Sequence, residues 1–219
     1  MTRADTASAK PIDLEQLPPL GRRFYERSPV TVARELLGAM LVRRSSGGQV
    51  LAGRIVETEA YVREYQGERD RAAHADRGLT PRTRVLFGPG GHAYVYLVYG
   101  IHYCLNVSAE RAGEPGCVLI RAIEPWAGIA AMQARRPGEA RVDRLGAGPG
   151  RLTEALGINL ADNGLDLTAA GGALTIRRAA GRIRRREAVT ATGRIGIRHG
   201  AEWPLRFYLT ENTSVSRSD

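Results

Sequence analysis

The sequence predicts an α+β fold: a single mixed domain in which a curved, antiparallel-rich sheet is surrounded by helices and carries one protruding β-hairpin. Three observations predict it. Runs of strand-like apolar alternation outnumber helical stretches. Short glycine- and serine-bearing breaks separate those runs at hairpin spacing. At 219 residues the chain can bury one sizeable core, and no internal repeat or linker divides it.

Residues 1–20 are polar and proline-bearing, run into LPPLG, and read as a flexible N-terminal tail. The folded domain is expected over 21–212, with a flexible C-terminal end over 213–219. SPVTVARELLGAMLV starts a helix with Ser28 as N-cap and Pro29 in its first position, and Val32, Leu36, Leu37 and Met40 recur at helical spacing. LVRRSSGGQVLAGRIVETEAYV reads as a hairpin around Ser45–Gly48. Residues 63–84 are charged and irregular, with room for a short helix. YVYLVYGIHYCLNV, Tyr94 to Val107, is a second hairpin with Gly100 in its turn. GCVLIRAIEP is a further strand, WAGIAAMQARR a helix, and GPGRLTEALGI a helix entered from a glycine-rich loop. From Gly164 onward short strands alternate with glycine.

Charge narrows the function. The net charge of +9 favours polyanions, and nucleic acid is the first candidate. Arg177 to Arg198 holds eight arginines and one acid, Glu187. Its interleaved Ile, Val and Gly suggest basic strands that track phosphates, or simply a solvated face. Cys104 and Cys117 each lie in an apolar run, which suits buried packing in a reducing compartment. The first 20 residues lack the apolar segment of a secretory leader, and the longest uncharged run is broken by Gly88-Pro89-Gly90-Gly91. A cytoplasmic protein without a membrane partner is expected.

Several stretches carry chemistry. In RIVETEAYV, alternation puts Ile55, Glu57, Glu59 and Tyr61 on one face. One reading is a solvated face ion-paired to arginine. The other is a carboxylate that activates water beside an aromatic that stacks on a ring. Glu64, Glu68, Asp70 and His74 have no defensible metal spacing, and neighbouring arginines repel a cation, so no metal is expected. GAGPGR, Gly146 to Arg151, lacks the lysine of a nucleotide-binding loop but could offer amides to a DNA phosphate. In the second hairpin, Tyr99 sits in the turn, where strand packing does not account for it. On a basic protein an exposed aromatic can enter a duplex and hold it open. A wedge at Tyr99, a stacking pocket from Tyr61, His74 and Tyr96, and a water-activating glutamate would together flip a base and hydrolyse its glycosidic bond.

The blocks GRIVETEAY, AAH, TPR, YVYLVYGIHYCLNVS, CVLIRAIEP and GPGRLTEALGIN, in this order, resemble the alkyladenine (3-methyladenine) DNA glycosylase family found in mammals and some bacteria. The likeness runs from about Glu35 to Asn163, with weaker echoes in RIGIRHG and PLRFYL. The resemblance implies a monomer without cofactor or metal that acts on double-stranded DNA. Its implied substrates are damaged purines: 3-methyladenine, 7-methylguanine, hypoxanthine and ethenoadenine. By position it implies that Glu59 is the general base and that Arg121 helps hold the attacking water. Tyr61, His74 and Tyr96 would sandwich the flipped base, Asn106 would disfavour the 2-amino group of guanine, and Tyr99 would intercalate. Glu57 has no catalytic counterpart and is taken as structural.

The chain's one lysine, Lys10, lies in the expected tail. A glycosylase that also cleaves the backbone needs an amine for a Schiff base, so a monofunctional enzyme is expected. Two departures stand out. Tyr61 and His74 are 13 positions apart, more than in the family, so REYQGER reads as an insertion beside the pocket. Thr83 follows TPR where asparagine is common. Two rival readings are a DNA-binding module without catalysis and a carbohydrate glycosidase using Glu57 and Glu59. The second is disfavoured because carboxylates on one strand face do not flank a sugar bond.

Overall fold

The structure, a computed structural model, describes residues 14, 17–45, 47–178 and 187–217. In chain order its elements are α1 (Arg22–Tyr25), α2 (Pro29–Leu36), β1 (Met40–Arg44), β2 (Val50–Tyr61), β3 (Glu64–Tyr65), β4 (Glu68–Arg69), α3 (Arg84–Phe87), β5 (Ala93–Val98), β6 (His102–Ala109), β7 (Gly116–Ala127), α4 (Ile129–Arg135), α5 (Pro149–Leu156), β8 (Leu174–Arg177), β9 (Val189–Thr192) and β10 (Arg206–Leu209). Short 3-10 turns occupy His74–Arg77, Val142–Arg144 and Leu160–Asp162. This is the α+β domain expected, with a dominant antiparallel sheet and few helices.

Among the described residues eight strands form one sheet, in the order β5-β6-β7-β2-β1-β8, with β10 paired to β2 and β9 to β10. β2 organises it. Its first half pairs with β1, Arg54 opposite Met40, and its second half with β10, Glu57 opposite Tyr208 and Glu59 opposite Arg206. The change of partner falls at Ile55, whose N–H and C=O are taken by Ala39 and Gly38. The sheet therefore forks where the two glutamates sit. Along its other edge β2 runs beside β7, with register shifts around Ile55, Glu57 and Thr58. A bulge of this kind bends the strand and re-aims its side chains.

The core lies on the sheet face that carries Val95, Leu105, Val107, Val118 and Ile120, against Val32, Ala33 and Leu36 of α2 and Leu152, Ala155 and Leu156 of α5. Thr58 belongs to this face and donates to the Ala33 carbonyl at 2.9 Å. Thr153 of α5 donates to the Tyr103 carbonyl at 3.0 Å.

Several expectations are corrected. The first long helix stops at Leu36, because Gly38 takes a φ of 84° that turns the chain, and Met40 opens β1 instead of completing a helical face. The last residues of the expected 1–20 tail are held against the sheet. Pro19 bridges Arg177, the Leu20 N–H bonds the Ile176 carbonyl, and Leu20 is buried. The C-terminal end is no free tail either: Ser214 and Val215 are buried, and the Ser216 N–H donates to Glu57 Oε2 at 2.7 Å. Residues 1–13, 15–16 and 218–219, with Lys10, lie outside the described residues, as do Ser46 of the first turn and residues 179–186 of the basic run. The described part of that run is not all solvated. Arg177 is buried and donates to the Leu14 and Leu17 carbonyls, and Arg194 is buried in an ion pair. Among the described residues no helix is long and apolar enough to cross a membrane.

Candidate active site

The period-2 rule builds the site. Side chains of the sheet face opposite the core converge from four neighbouring strands. Tyr94 and Tyr96 come from β5, Cys104 and Asn106 from β6, Cys117, Leu119 and Arg121 from β7, and Tyr61 from the end of β2. With His74, Arg82, Pro149, Ile195 and the Tyr99 hairpin tip they line a cavity of about 480 Å³ that opens to the surface. A larger hollow of about 950 Å³ beside Ser28 and Glu114 contains none of Tyr61, Tyr94 and Tyr96.

Glu57 and Glu59 are both fully buried, which sets aside the solvated-face reading, although the ion pairs to arginine are present. Glu59 Oε1 accepts from the Ile195 N–H at 2.8 Å and lies 3.1 Å from Arg121 Nη1. Its Oε2 accepts from the Tyr61 hydroxyl at 2.9 Å. Glu57 is engaged more completely: Arg121 Nε at 2.9 Å, Arg206 Nε at 2.8 Å, and the Ser216 N–H and Oγ at 2.7 and 2.9 Å. Two carboxylates and two guanidiniums thus compensate one another in a buried network, which such charges require. Burial works against the charge of Arg121, but Glu59 and Glu57 outweigh it and its pKa is raised. Burial and the Glu59 charge push the Tyr61 hydroxyl well above its ordinary value, so it stays a donor to Oε2. Glu59 meets the cavity through Tyr61 and Arg121, both of which line it.

The aromatic walls touch. The His74 and Tyr96 rings are 4.5 Å apart at 60°, and Tyr94 and Tyr96 are 5.3 Å apart. His74 Nδ1 is 2.8 Å from the Tyr94 hydroxyl. Burial, then the charges of Arg82 and Arg77, lowers His74 from 6.5 to about 4. His74 is therefore neutral near pH 7. A folded pKa below the unfolded one means that its contribution to stability is full above about pH 6.5 and is lost as pH falls towards 4. Nuclear magnetic resonance titration of the His74 ring, assigned with His74→Gln, should give a midpoint near 4; a midpoint near 6.5 would show a ring open to water.

The longer Tyr61–His74 segment does not displace His74. Its extra residues form the β3–β4 hairpin, with Gln66 and Gly67 at φ of 53° and 84° in the turn. Asp70 brings the chain back. Its carboxylate accepts from the Val62 and Ala72 N–H groups and pairs with both terminal nitrogens of Arg194 at 2.7 and 2.9 Å. The Arg194 guanidinium lies 4.8 Å from the Tyr61 ring and 5.5 Å from that of Trp203. Thr83 closes the neighbouring loop, donating to the Gly78 carbonyl and accepting from the Thr80 N–H.

Tyr99 stands at the hairpin tip with 87% of its surface exposed. Tyr99 and Gly100 both have positive φ, 51° and 71°, and the Ile101 N–H closes the turn on Val98. Asn106 is buried in the cavity wall, its Nδ2 donating to the Tyr94 carbonyl at 3.1 Å. The glycine-rich loop before α5 serves packing first. A Cβ on Gly146 would lie 2.7 Å from the Ile123 carbonyl oxygen, and the Gly148 N–H bonds Gly146 rather than facing out.

All seven residues expected at the site lie in or against one cavity. Sequence reasoning missed Tyr94, Arg82, Asp70, Arg194 and Ser216. Tyr94 had the same alternation signal as Tyr96, whereas nothing local marks Ser216.

A family model described as methylpurine-DNA glycosylase matches residues 23–213. Curated relatives that are similar over most of their length are provisionally named 3-methyladenine DNA glycosylases. One from Methanoculleus marisnigri is 48% identical over 195 residues, 89% of this chain and 96% of the relative. One from Koribacter versatilis is 48% identical over 206 residues, 93% and 95%. One from Carboxydothermus hydrogenoformans is 46% identical over 198 residues, 90% and 98%.

Proposed function

The chain belongs to the methylpurine-DNA glycosylase family and is a DNA glycosylase, and from that premise we propose that it extrudes a damaged purine from duplex DNA and hydrolyses the N-glycosidic bond, leaving an abasic site. The observation that carries this reading is Glu59, buried and held by Tyr61 and Arg121, two residues that line an aromatic cavity on the same side as Tyr99.

In this reading Tyr99 fills the gap left by the extruded nucleotide. Unstacking costs a few kcal/mol, and each base–aromatic stack returns about 1–3 kcal/mol, so the wedge and the cavity walls offset the opening. The base enters between Tyr61, His74 and Tyr96. Asn106, oriented by the Tyr94 carbonyl, disfavours the 2-amino group of guanine. Water attacks the sugar C1′, Glu59 takes its proton with Arg121 helping to hold it, and the bonding pair leaves with the purine. A cationic alkylated purine departs neutral. A neutral one, such as hypoxanthine, must gain a proton. The substrates are 3-methyladenine, 7-methylguanine, hypoxanthine and ethenoadenine, and the enzyme works as a monomer in the cytoplasm, for which two free, buried cysteines are suited.

The test is excision from duplexes that each carry one of these lesions, with and without alkali. Cleavage only after alkali supports a monofunctional glycosylase. Duplex binding without cleavage on any lesion favours the binding module. Tyr99→Ala should slow single-turnover excision about 5- to 150-fold, the equivalent of one lost stack. Unchanged binding and excision would remove Tyr99 from the mechanism.

A further inference from the structure

The cavity has an unusual charge pattern. Arg82 and Arg121 line it, and among the described residues no aspartate or glutamate does. Arg121 is compensated from behind by Glu57 and Glu59. Arg82 makes no ion pair among the described residues; its guanidinium lies 5.1 Å from the centroid of the Tyr96 ring. Tyr61 carries a second guanidinium, that of Arg194, at 4.8 Å, although Asp70 neutralises that one. An aromatic wall attracts a cation through the negative face of its ring. At Tyr96 that attraction is already used by a cation of the protein itself. A second cation stacked in the same cavity comes within a few ångströms of the first and is repelled by it. His74, neutral near pH 7, neither adds to this positive charge nor offsets it.

We infer that Arg82 is a specificity-determining residue, which weakens the binding of positively charged alkylated purines relative to uncharged ones and so tilts this cavity towards neutral lesions such as hypoxanthine and ethenoadenine. The inference rests on the glycosylase reading above and names the substrate class of that same site. It has a chemical counterpart. A cationic purine is already a good leaving group and tolerates weaker binding. A neutral purine leaves less readily and gains more from a cavity that holds it well.

The experiment measures single-turnover excision of 7-methylguanine, which is cationic, and of hypoxanthine, which is neutral, in the same duplex context. Wild type, Arg82→Gln and Arg82→Lys are compared. The readout is the ratio of the two kcat/KM values in each variant divided by that ratio in wild type. Pairing energies and phosphate contacts affect both terms alike and cancel. Removing the charge should raise the 7-methylguanine to hypoxanthine ratio about three- to tenfold, as expected for two nearby charges in a partly hydrated site. Arg82→Lys, which keeps the charge but loses the planar stack, should raise the ratio less than Arg82→Gln does. If Arg82→Gln leaves the ratio unchanged while wild type remains active, the inference fails alone, and an equal fall in both rates would make Arg82 a general DNA contact. If wild type excises none of the four lesions, the glycosylase reading fails and takes the inference with it; if it excises only the cationic ones, the inference fails alone.

Discussion

Glu59→Gln is expected to lower excision of every lesion by about 10²–10⁴-fold while duplex binding is kept. The substitution preserves shape but removes the group proposed to take the proton from water. Its amide oxygen can replace Oε1 and accept from the Ile195 N–H, its NH2 group can donate to the Tyr61 hydroxyl oxygen, and Arg121 keeps its bond to Glu57 at 2.9 Å. The loss should therefore appear in kcat and not in KM; the buried network is left with one carboxylate for two guanidiniums, so Tm should fall as well, and the rates are compared at a temperature where both proteins are folded. Single-turnover kinetics with an alkali-treated readout would show it. Activity within tenfold of wild type would mean that the base lies elsewhere. Glu57 is no ready substitute, since Arg121, Arg206 and Ser216 already engage it.

Asp70→Ala is expected to cost about 3–5 kcal/mol of stability, because it leaves the fully buried Arg194 guanidinium without its counter-charge. At this chain length each kcal/mol lowers Tm by about 2–4 °C, so the expected drop is about 6–20 °C. The Val62 and Ala72 N–H groups also lose their acceptor, and these residues join the inserted hairpin to the cavity. Thermal unfolding followed by circular dichroism measures the effect. A Tm lowered by less than about 2 °C would show that water reaches Arg194 and that the pair does not hold the insertion. If the pair does hold it, the surviving folded protein should also show weaker binding of lesion DNA, since Arg194 backs the Tyr61 wall.

The two hairpins show where sequence reading succeeds and where it stops. Tyr99-Gly100 was legible as a turn because long alternating runs flank it, and the structure places both residues at positive φ. Gln66-Gly67 makes the same kind of turn, yet only two residues pair on each side, too few for a period to be read. The excess of residues between Tyr61 and His74 was visible as an insertion. Its destination, a looped-out hairpin tied down by Asp70 and Arg194, depends on a partner 124 positions away.

Residue order alone determined the α+β class, the strand that carries Glu57, Glu59 and Tyr61, the exposed aromatic in the turn, and the family. These follow from local periodicity, turn chemistry and motif order, all readable within a few residues. Tertiary structure alone decided that both glutamates are buried, that Glu57 is locked by Arg206 and by Ser216 from the far end of the chain, and that Arg82 lies on the Tyr96 ring. The reason is physical. Burial and ion pairing depend on which distant segments the forked sheet brings together, and a charge beside a strand in sequence carries no record of the partner it meets in space.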